Sequence, residues 1–332
     1  MGIKMEGKSR NRKKTTIFRI FLVPLILIML VQSIITVGTL VVRRTAGMLE
    51  EYSGNMMGRL VENRKVILQN EMNQRWASIH EQETLMDDTL RDFLKAENTK
   101  LEEVLESDEK RDRLLEQFFP KCLNMLQSNS TTGVFLILTG DDRESAGDYD
   151  GLFIRDSDPM TNPANYTDLF LERGSKNLSR EWNIPLDTNW TTHFHMGGQG
   201  QNASESFFYE PWRAGDEHMD ADIVDLGFWS LPFSLGKDSS EKSEDNSYRM
   251  ITYSIPLRYE GRVYGVLGVE ISERNLYDYF PVEELNESRQ SGYMLALAKG
   301  GDSYIPLTGR GLLYNMVCSA GSSFSLKETN YD

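Results

Sequence analysis

Cysteine is almost absent from this sequence. Only Cys122 and Cys318 occur among its 332 residues. Two thiols so far apart exclude a disulfide framework, and they do not have the spacing of a zinc site. We expect both to be small, buried hydrophobic side chains. Such sparing use of cysteine is more typical of a bacterial surface protein than of a eukaryotic secreted one.

The short motifs of common enzymes are also missing. The sequence has no G-x-S-x-G nucleophile elbow, no P-loop and no dinucleotide-binding fingerprint. His193 and His195 could offer two metal ligands on one strand face, and His218, Asp220 and Asp222 follow nearby. No third ligand has a spacing that is diagnostic of a metal site. We therefore predict no catalytic residue, no cofactor and no metal, and no enzyme in the residues present.

Basic residues are scarce beyond Arg44. The chain has 36 Lys and Arg and 50 Asp and Glu, a formal net charge of −14 at pH 7. Beyond Arg44 there are 27 basic and 49 acidic residues, a net charge of −22. Because a nucleic-acid backbone requires Lys and Arg, this acidic body is not expected to bind nucleic acid. Anionic lipid headgroups would repel it too, so the body should stand off a membrane surface.

No charged residue occurs from Ile20 to Val42, a run of 23 residues. At about 1.5 Å per residue, such a helix spans the roughly 30 Å hydrocarbon core of a bilayer. Arg43 and Arg44 follow the run, and seven basic residues precede it: Lys4, Lys8, Arg10, Arg12, Lys13, Lys14 and Arg19. The positive-inside rule therefore predicts a cytoplasmic N-terminus (residues 1–19), a transmembrane helix (20–42) and an extracellular remainder. The run is too long for a cleaved signal peptide and lacks a good cleavage site, so we expect an uncleaved anchor in the cell membrane.

Glycine and proline nearly vanish from Met48 to Leu126, where only Gly54, Gly58 and Pro120 occur. Apolar residues recur there at helical spacing, and the positions between them are charged: Leu60, Leu68, Met72, Trp76, Ile79, Met86, Leu90, Leu94, Leu101 and Leu105. This pattern predicts amphipathic stalk helices over residues 43–126, partly packed on their own domain. The stripe is not a strict heptad, so a continuous coiled coil is not expected.

Two fresh helix starts are indicated within the stalk. Thr99 and Glu102 have the spacing of a capping box. Asp108, directly after Ser107, marks the second start because acidic residues favour the first helical turn.

After the stalk, the spacing of apolar residues changes from the helical period to the patterns that are typical of β-strands. Two short apolar runs, Gly133–Leu138 and Gly151–Arg155, predict strands, and a hairpin with its turn at Tyr259-Glu260-Gly261 follows much later. Residues 160–233 between them form an irregular, aromatic-rich segment, which we call the excursion. Lys237–Ser247 is polar throughout and predicts an exposed loop. This order predicts an α+β domain on one antiparallel sheet.

A second, smaller strand pair follows a predicted connecting helix. The helix is expected over Asn275–Ser288, and the strands over Gly292–Ala298 and Ser303–Leu307. These strands repeat the opening strand pair of the larger sheet, so a second module begins there.

Three segments carry a resemblance to a known family. They are Trp229-Ser-Leu-Pro-Phe233, Ile251-Thr-Tyr-Ser-Ile-Pro-Leu257 and the closing strand Val263-Tyr-Gly-Val-Leu-Gly-Val-Glu-Ile-Ser272. The sequence resembles the double Cache family, whose tandem PAS-like domains are the extracellular parts of bacterial chemoreceptors, sensor kinases and cyclic-di-GMP enzymes. The resemblance implies a membrane-distal Cache module at 127–275, and a connecting helix with a partial membrane-proximal module at 276–332. A second membrane helix and an output domain would follow, so we expect a fragment or a truncated product.

The family resemblance also implies a ligand site between the sheet and the excursion. Amino-acid-binding members hold the ligand carboxylate with an Arg-x-Trp-aromatic element and the ammonium with an acidic residue of the closing strand. Arg180-Glu181-Trp182 resembles this element, although Asn183 replaces the aromatic, and Glu270 stands in the closing strand. The predicted ligand-binding residues are Arg180, Trp182, Tyr209, Trp212, Trp229, Tyr253 and Glu270.

Three functions from different classes are compatible with these patterns. A sensor of a small molecule, such as an amino acid or another small polar metabolite, would have this pocket and would form a homodimer. A membrane-anchored ectoenzyme would need a catalytic pair at the same pocket, for which no motif is present. A passive surface-binding protein would explain the anchor but not the PAS-like hairpin. The sensor is therefore favoured as the input part of a transmembrane signalling protein.

Overall fold

The computed structural model describes residues 17–76, 79–129, 131–140, 143, 145–159, 167–198, 203–234, 249–280, 292–320 and 324–325. Several predictions concern residues outside this set: the N-terminal residues 1–16, the loop Lys237–Ser247, the later part of the connecting helix and the Cys318 side chain. The chain divides into two compact units, Met1–Lys65 and Val66–Asp332.

The uncharged segment lies in a single long helix, α1 (Ile17–Trp76). Among the described residues, one helix is long and apolar enough to cross a membrane by length and composition, and it lies within Phe21–Asn73. None of its most apolar window is buried. The predicted helix over Ile20–Val42 is therefore confirmed, with its apolar side chains exposed as lipid contact would require.

Three further helices follow: α2 (Ile79–Glu97), α3 (Leu101–Leu105) and α4 (Asp108–Asn129). Both predicted helix starts are found: α3 begins at Leu101, within the Thr99–Glu102 segment, and α4 begins at Asp108. The capping box does not form, since the N-cap residue is Lys100 and no side chain caps the helix. Helix α4 continues through Pro120.

Within the described residues, the larger sheet has eight strands: β1 (Gly133–Leu138), β2 (Gly147–Asp156), β3 (Leu169–Arg173), β4 (Leu186–Thr191), β5 (His193–Met196), β6 (Phe228–Trp229), β7 (Met250–Tyr259) and β8 (Arg262–Ser272). Their order is β4-β3-β2-β1-β8-β7-β6, and β5 pairs separately with β2. All the pairs are antiparallel except β3 with β4. The first and last long strands, β1 and β8, are thus neighbours at the centre of the sheet.

Helices cover one face of this sheet, which we call the helix face. Helix α4 packs on β1 and β2, and α2 packs on α4 and β7. Alternate residues of β1, such as Leu136, join side chains of both helices in one buried cluster. Cys122 of α4 belongs to this cluster and is fully buried, which confirms its predicted role.

Part of the excursion covers the opposite face, which we call the excursion face. Helix α6 (Ser206–Glu217) of the excursion packs on β7 and β8 there, whereas Leu178 of α5 (Lys176–Glu181) joins the helix-face cluster. Phe135 and Ile137 of β1 point to this side and meet aromatic side chains of α6. Because both faces are covered, β1 is buried at all six positions, and its sequence is a continuous apolar run.

The hairpin β7–β8 closes with a two-residue turn. Glu260 and Gly261 have φ values of +48° and +79°, the left-handed conformation that type I′ turns require at both central positions. The turn predicted at Tyr259-Glu260-Gly261 is confirmed.

A smaller, separate sheet contains β9 (Gly292–Gly300), β10 (Ser303–Gly311) and β11 (Phe324–Ser325), in the order β11-β10-β9. The short helices α7 (Glu273–Asp278) and α8 (Leu312–Ala320) pack against β10. The second predicted strand pair is therefore present, and the fold class is α+β, with a long N-terminal apolar helix and two sheets.

Candidate functional site

Arg180 and Trp182 line an open groove of about 550 Å³ beside α5. The other lining residues are Thr167, Ser179, Asn183, Ile184 and Pro185. Trp182 also packs on Phe119 of α4, with the ring centroids 5.5 Å apart. The exposed Arg180 has no hydrogen bond or ion pair with another described residue. The groove therefore combines an available cation with an aromatic wall.

Tyr209 and Trp212 lie in α6, on the excursion face. Their rings stack with centroids 6.5 Å apart, and Trp212 also meets Tyr149 and Phe208. Both side chains are buried in the aromatic cluster of this face. Burial raises the pKa of the Tyr209 hydroxyl well above its ordinary value, so this group stays neutral.

Trp229 and Tyr253 form a third group, at the β6–β7 edge. Their ring centroids are 5.0 Å apart, and the indole is half-exposed. Tyr253 belongs to the helix-face cluster. The predicted aromatic residues are therefore divided between the two faces of the sheet, and their role in ligand binding stays a prediction.

Glu270 is fully buried on the excursion face and already has a cationic partner. Arg155 donates from Nε to Glu270 Oε2 at 3.1 Å and from Nη2 to Oε1 at 2.9 Å, a bidentate ion pair. Thr132 Oγ1 donates to the same Oε1 at 3.3 Å. A ligand ammonium at this carboxylate would have to compete with a guanidinium that is fixed in place.

Arg155 also contacts Glu172 of β3, with 3.3 Å between Nη1 and Oε2. Glu172 in turn accepts from Arg173 Nη1 at 3.4 Å. Two arginines and two glutamates are thus gathered at one end of the sheet, where each buried charge has an opposite partner. We call Thr252, Glu270, Arg155 and Glu172 the polar row. Among the described residues, Thr252 Oγ1 is buried without a hydrogen-bond partner.

The Arg155–Glu270 ion pair requires a glycine at position 133. Arg155 and Glu270 lie on β2 and β8, the two strands that flank β1, so their side chains meet across β1. Gly133 pairs with both of them in the two ladders. A Cβ on Gly133 would lie 2.3 Å from Glu270 Oε2 and 2.9 Å from Phe153 Cε2. The missing side chain is therefore what allows the ion pair to cross over the central strand.

Burial controls the acid strength of Glu172. It raises the pKa of this carboxyl to about 7, although the neighbouring Arg155 and Arg173 lower it. Protonation of Glu172 near neutral pH would leave the two arginines facing one carboxylate, so the net charge of the cluster depends on pH.

Arg155, Glu172 and Arg173 were not identified as site residues from the sequence. A signal was present, because each is a charged residue next to apolar strand residues, and charges in buried strands need partners. Their pairing could not be seen, since Arg155 and Glu270 are 115 positions apart.

The two histidines considered as metal ligands pair with aspartates across β2 and β5. His193 Nδ1 lies 2.6 Å from Asp150 Oδ1, and His195 Nδ1 lies 2.9 Å from Asp148 Oδ1. Asp150 is also paired with Arg111 of α4. In the described part of the chain, no group of three or more His, Cys, Asp or Glu side chains could hold a metal ion.

Comparison with known proteins gives similarity at the level of solved structures. No family model and no curated protein matches the sequence. Over about 70% of its length, the chain is similar to extracellular sensor domains of histidine kinases and chemoreceptors.

The first of these is the extracellular domain of a protein described as a histidine kinase, with 13% identity, 69% of this chain and 70% of that chain covered, and a TM-score of 0.29. The ligand-binding domain of the Campylobacter jejuni chemoreceptor Tlp3, in complex with L-norvaline, shares 15% identity over 70% of this chain and 67% of its own, with a TM-score of 0.28. The ligand-binding domain of the Pseudomonas aeruginosa amino-acid chemoreceptor PctC, in complex with GABA, shares 13% identity over 70% of this chain and 73% of its own, with a TM-score of 0.27.

Proposed function

We propose that this chain is the extracellular sensory part of a transmembrane signalling protein, and that it binds a small molecule bearing a carboxylate. The groove beside α5 carries the proposal, because Arg180 and Trp182 there supply a cation and an aromatic surface. A guanidinium suits a carboxylate through paired hydrogen bonds, and an adjacent indole suits the apolar part of the ligand.

An amino acid remains one member of this ligand class. Glu270 does not serve as a free ammonium anchor in this proposal, because Arg155 holds both of its oxygens. An amino-acid ligand would therefore use the groove through its carboxylate, and its ammonium would point to solvent or to other acceptors.

Binding is tested by thermal unfolding of the full chain in nanodiscs, with a panel of amino acids and other small carboxylates. A ligand that binds only the folded state stabilises it by RT ln(1 + [L]/Kd), so the unfolding temperature rises with the ratio of ligand concentration to Kd. For a molecule that stabilises the wild type, Arg180→Ala should remove one charge-assisted contact of about 1.5–3 kcal/mol, roughly a 10- to 150-fold loss of affinity.

Lys176→Ala is the matched control, because this cation lies on the same helix but lies over Trp190 rather than in the groove. It should bind like the wild type. Equal loss in both variants, or no loss in Arg180→Ala, would reject the groove as the binding site.

The topology is proposed from the basic residues that precede Ile20. The N-terminus would be cytoplasmic and residues after Arg44 extracellular. A reporter that is active only outside the cytoplasm, fused after Ser247, should give signal. A reporter active only in the cytoplasm should give none at that position, and the reverse result would overturn the topology.

A further inference from the structure

A second cluster of charged groups lies on the helix face, between α2 and the sheet. Tyr264 of β8 is fully buried, and its ring stacks on Phe118 of α4 with the centroids 6.5 Å apart. Its hydroxyl donates to Asp87 Oδ1 of α2 at 2.9 Å. An acidic side chain of α2 therefore reaches the central part of the sheet.

Arg258 joins this cluster to the excursion. Its Nη1 donates to the backbone oxygens of Met219 and Ala221, at 2.7 and 3.0 Å. Its Nη2 lies 3.9 Å from Glu83 Oε1, one turn before Asp87 on α2. One guanidinium thus contacts both the segment after α6 and the acidic edge of α2.

The environment of Asp87 favours its protonated form. Burial, together with the charge of the nearby Glu83, raises the pKa of Asp87 to about 6. The Tyr264 hydrogen bond and the charges of Arg91 and Arg258 lower this pKa, but they do not cancel the burial.

The pKa of Glu83 is shifted in the same direction as that of Asp87. Burial and the charge of Asp222 raise its pKa, and Arg258 lowers it. Two carboxyls one helical turn apart, both partly removed from water, cannot ionise together without weakening the contact between α2 and the sheet.

We propose that Asp87, with Glu83, forms a proton-binding contact that sets how firmly α2 is held on the sheet, and that Arg258 links this contact to the excursion. A proton on Asp87 removes the repulsion from Glu83 and keeps the hydrogen bond with Tyr264 available. Loss of the proton leaves two carboxylates sharing Arg258, which also holds the two backbone oxygens of the excursion.

The direction with pH follows from the raised pKa. A group that binds its proton more tightly in the folded state stabilises the fold fully below its unfolded pKa, here about 3.8, and loses this effect as the pH rises through about 6. The α2 contact should therefore loosen between pH 5 and pH 7. Because Asp87 is partly exposed, we expect a change of about tenfold rather than the hundredfold that the full shift would give.

Protonation of the Asp87–Glu83 contact does not require ligand binding at the groove. The contact would respond to the pH outside the cell only if this part of the chain is extracellular, and in that respect the inference rests on the proposed function. The test is hydrogen exchange of the α2 amides by mass spectrometry, on the full chain in nanodiscs, from pH 5 to pH 7.5. Rates are corrected for the intrinsic pH dependence of exchange. The wild type should lose about tenfold protection in α2 across this range.

Asp87→Asn combined with Glu83→Gln should make α2 protection independent of pH, because neither amide can titrate, whereas Asp87→Asn alone should leave only the response of Glu83. Tyr264→Phe should move the midpoint to higher pH, since the hydrogen bond that favours the ionised form is removed. Asp88→Asn is the matched control: this neighbour is exposed and pairs with Arg91, so the variant should respond like the wild type. A flat wild-type response, an undiminished response in Asp87→Asn, or any response in the double variant overturns the proposal.

Discussion

Replacing Gly133 by alanine tests whether the ion pair over β1 is needed for stability. The added Cβ would lie 2.3 Å from Glu270 Oε2 and 2.9 Å from Phe153 Cε2, and real Cβ atoms do not approach so closely. Something must move, and the groups involved are buried. Phe153 and Glu270 are fully buried, and Arg155 is nearly so.

The expected magnitude combines two effects. Overpacking a buried site costs about 1–3 kcal/mol. Separating a buried ion pair costs up to about 3–5 kcal/mol, because each charge is left without its partner. Gly133→Ala should therefore lower the free energy of unfolding by about 3 kcal/mol or more, equivalent to about 6–12 °C in a domain of this size.

Gly147→Ala provides the comparison within the same sheet. A Cβ at Gly147 meets nothing within 4 Å, so this variant should be neutral or more stable by about 0.4–1 kcal/mol. Unfolding is followed by tryptophan emission of the full chain in nanodiscs, because four of the five tryptophans lie beyond residue 180. If the two variants unfold at the same temperature, the steric argument for Gly133 is wrong.

Two further variants address acid strength and turn geometry. Glu172 has a folded pKa of about 7 against 4.5, so its contribution to stability is complete below about 4.5 and is lost as the pH rises through 7. The free energy of unfolding of the wild type should therefore fall over this range by on the order of 3 kcal/mol more than that of Glu172→Gln, as measured by denaturant titration at each pH; parallel profiles would contradict this. Glu260→Gly should raise stability by about 0.5–1 kcal/mol in thermal unfolding, because a left-handed conformation is unfavourable for a residue with a side chain. A drop of the same size would mean that the Glu260 side chain makes a stabilising contact.

Much of the fold follows from local sequence patterns. The uncharged run predicted α1, the starts at Leu101 and Asp108 were found, and the glycine at the turn predicted the β7–β8 hairpin. These elements depend on short-range periodicity and turn chemistry, which a single sequence contains. The missing cap at Lys100 shows the limit, since Thr99 Oγ1 bonds to Glu103 instead of capping the helix.

The candidate site was harder to predict than the fold. Arg180 and Trp182 were predicted from a partial match to a family motif, and the structure places both at one groove, while their role in binding stays a prediction. The polar row depends on pairing between strands that are far apart in sequence. It also depends on Gly133, where a side chain would collide with the neighbouring Glu270 and Phe153. Such contacts leave no local pattern, so the charged strand residues could be noted but not paired.

The Arg155–Glu270 pair has a kinetic consequence. Its partners are 115 positions apart, with the whole excursion between them, so the pair can form only after β8 has docked beside β1. We expect the bidentate geometry of this ion pair to be completed after the transition state, because both strands must first be in register. Breaking this pair should then speed unfolding while leaving the folding rate nearly unchanged. The Arg155–Glu270 ion pair over Gly133 would thus control the unfolding rate of the module more than its folding rate.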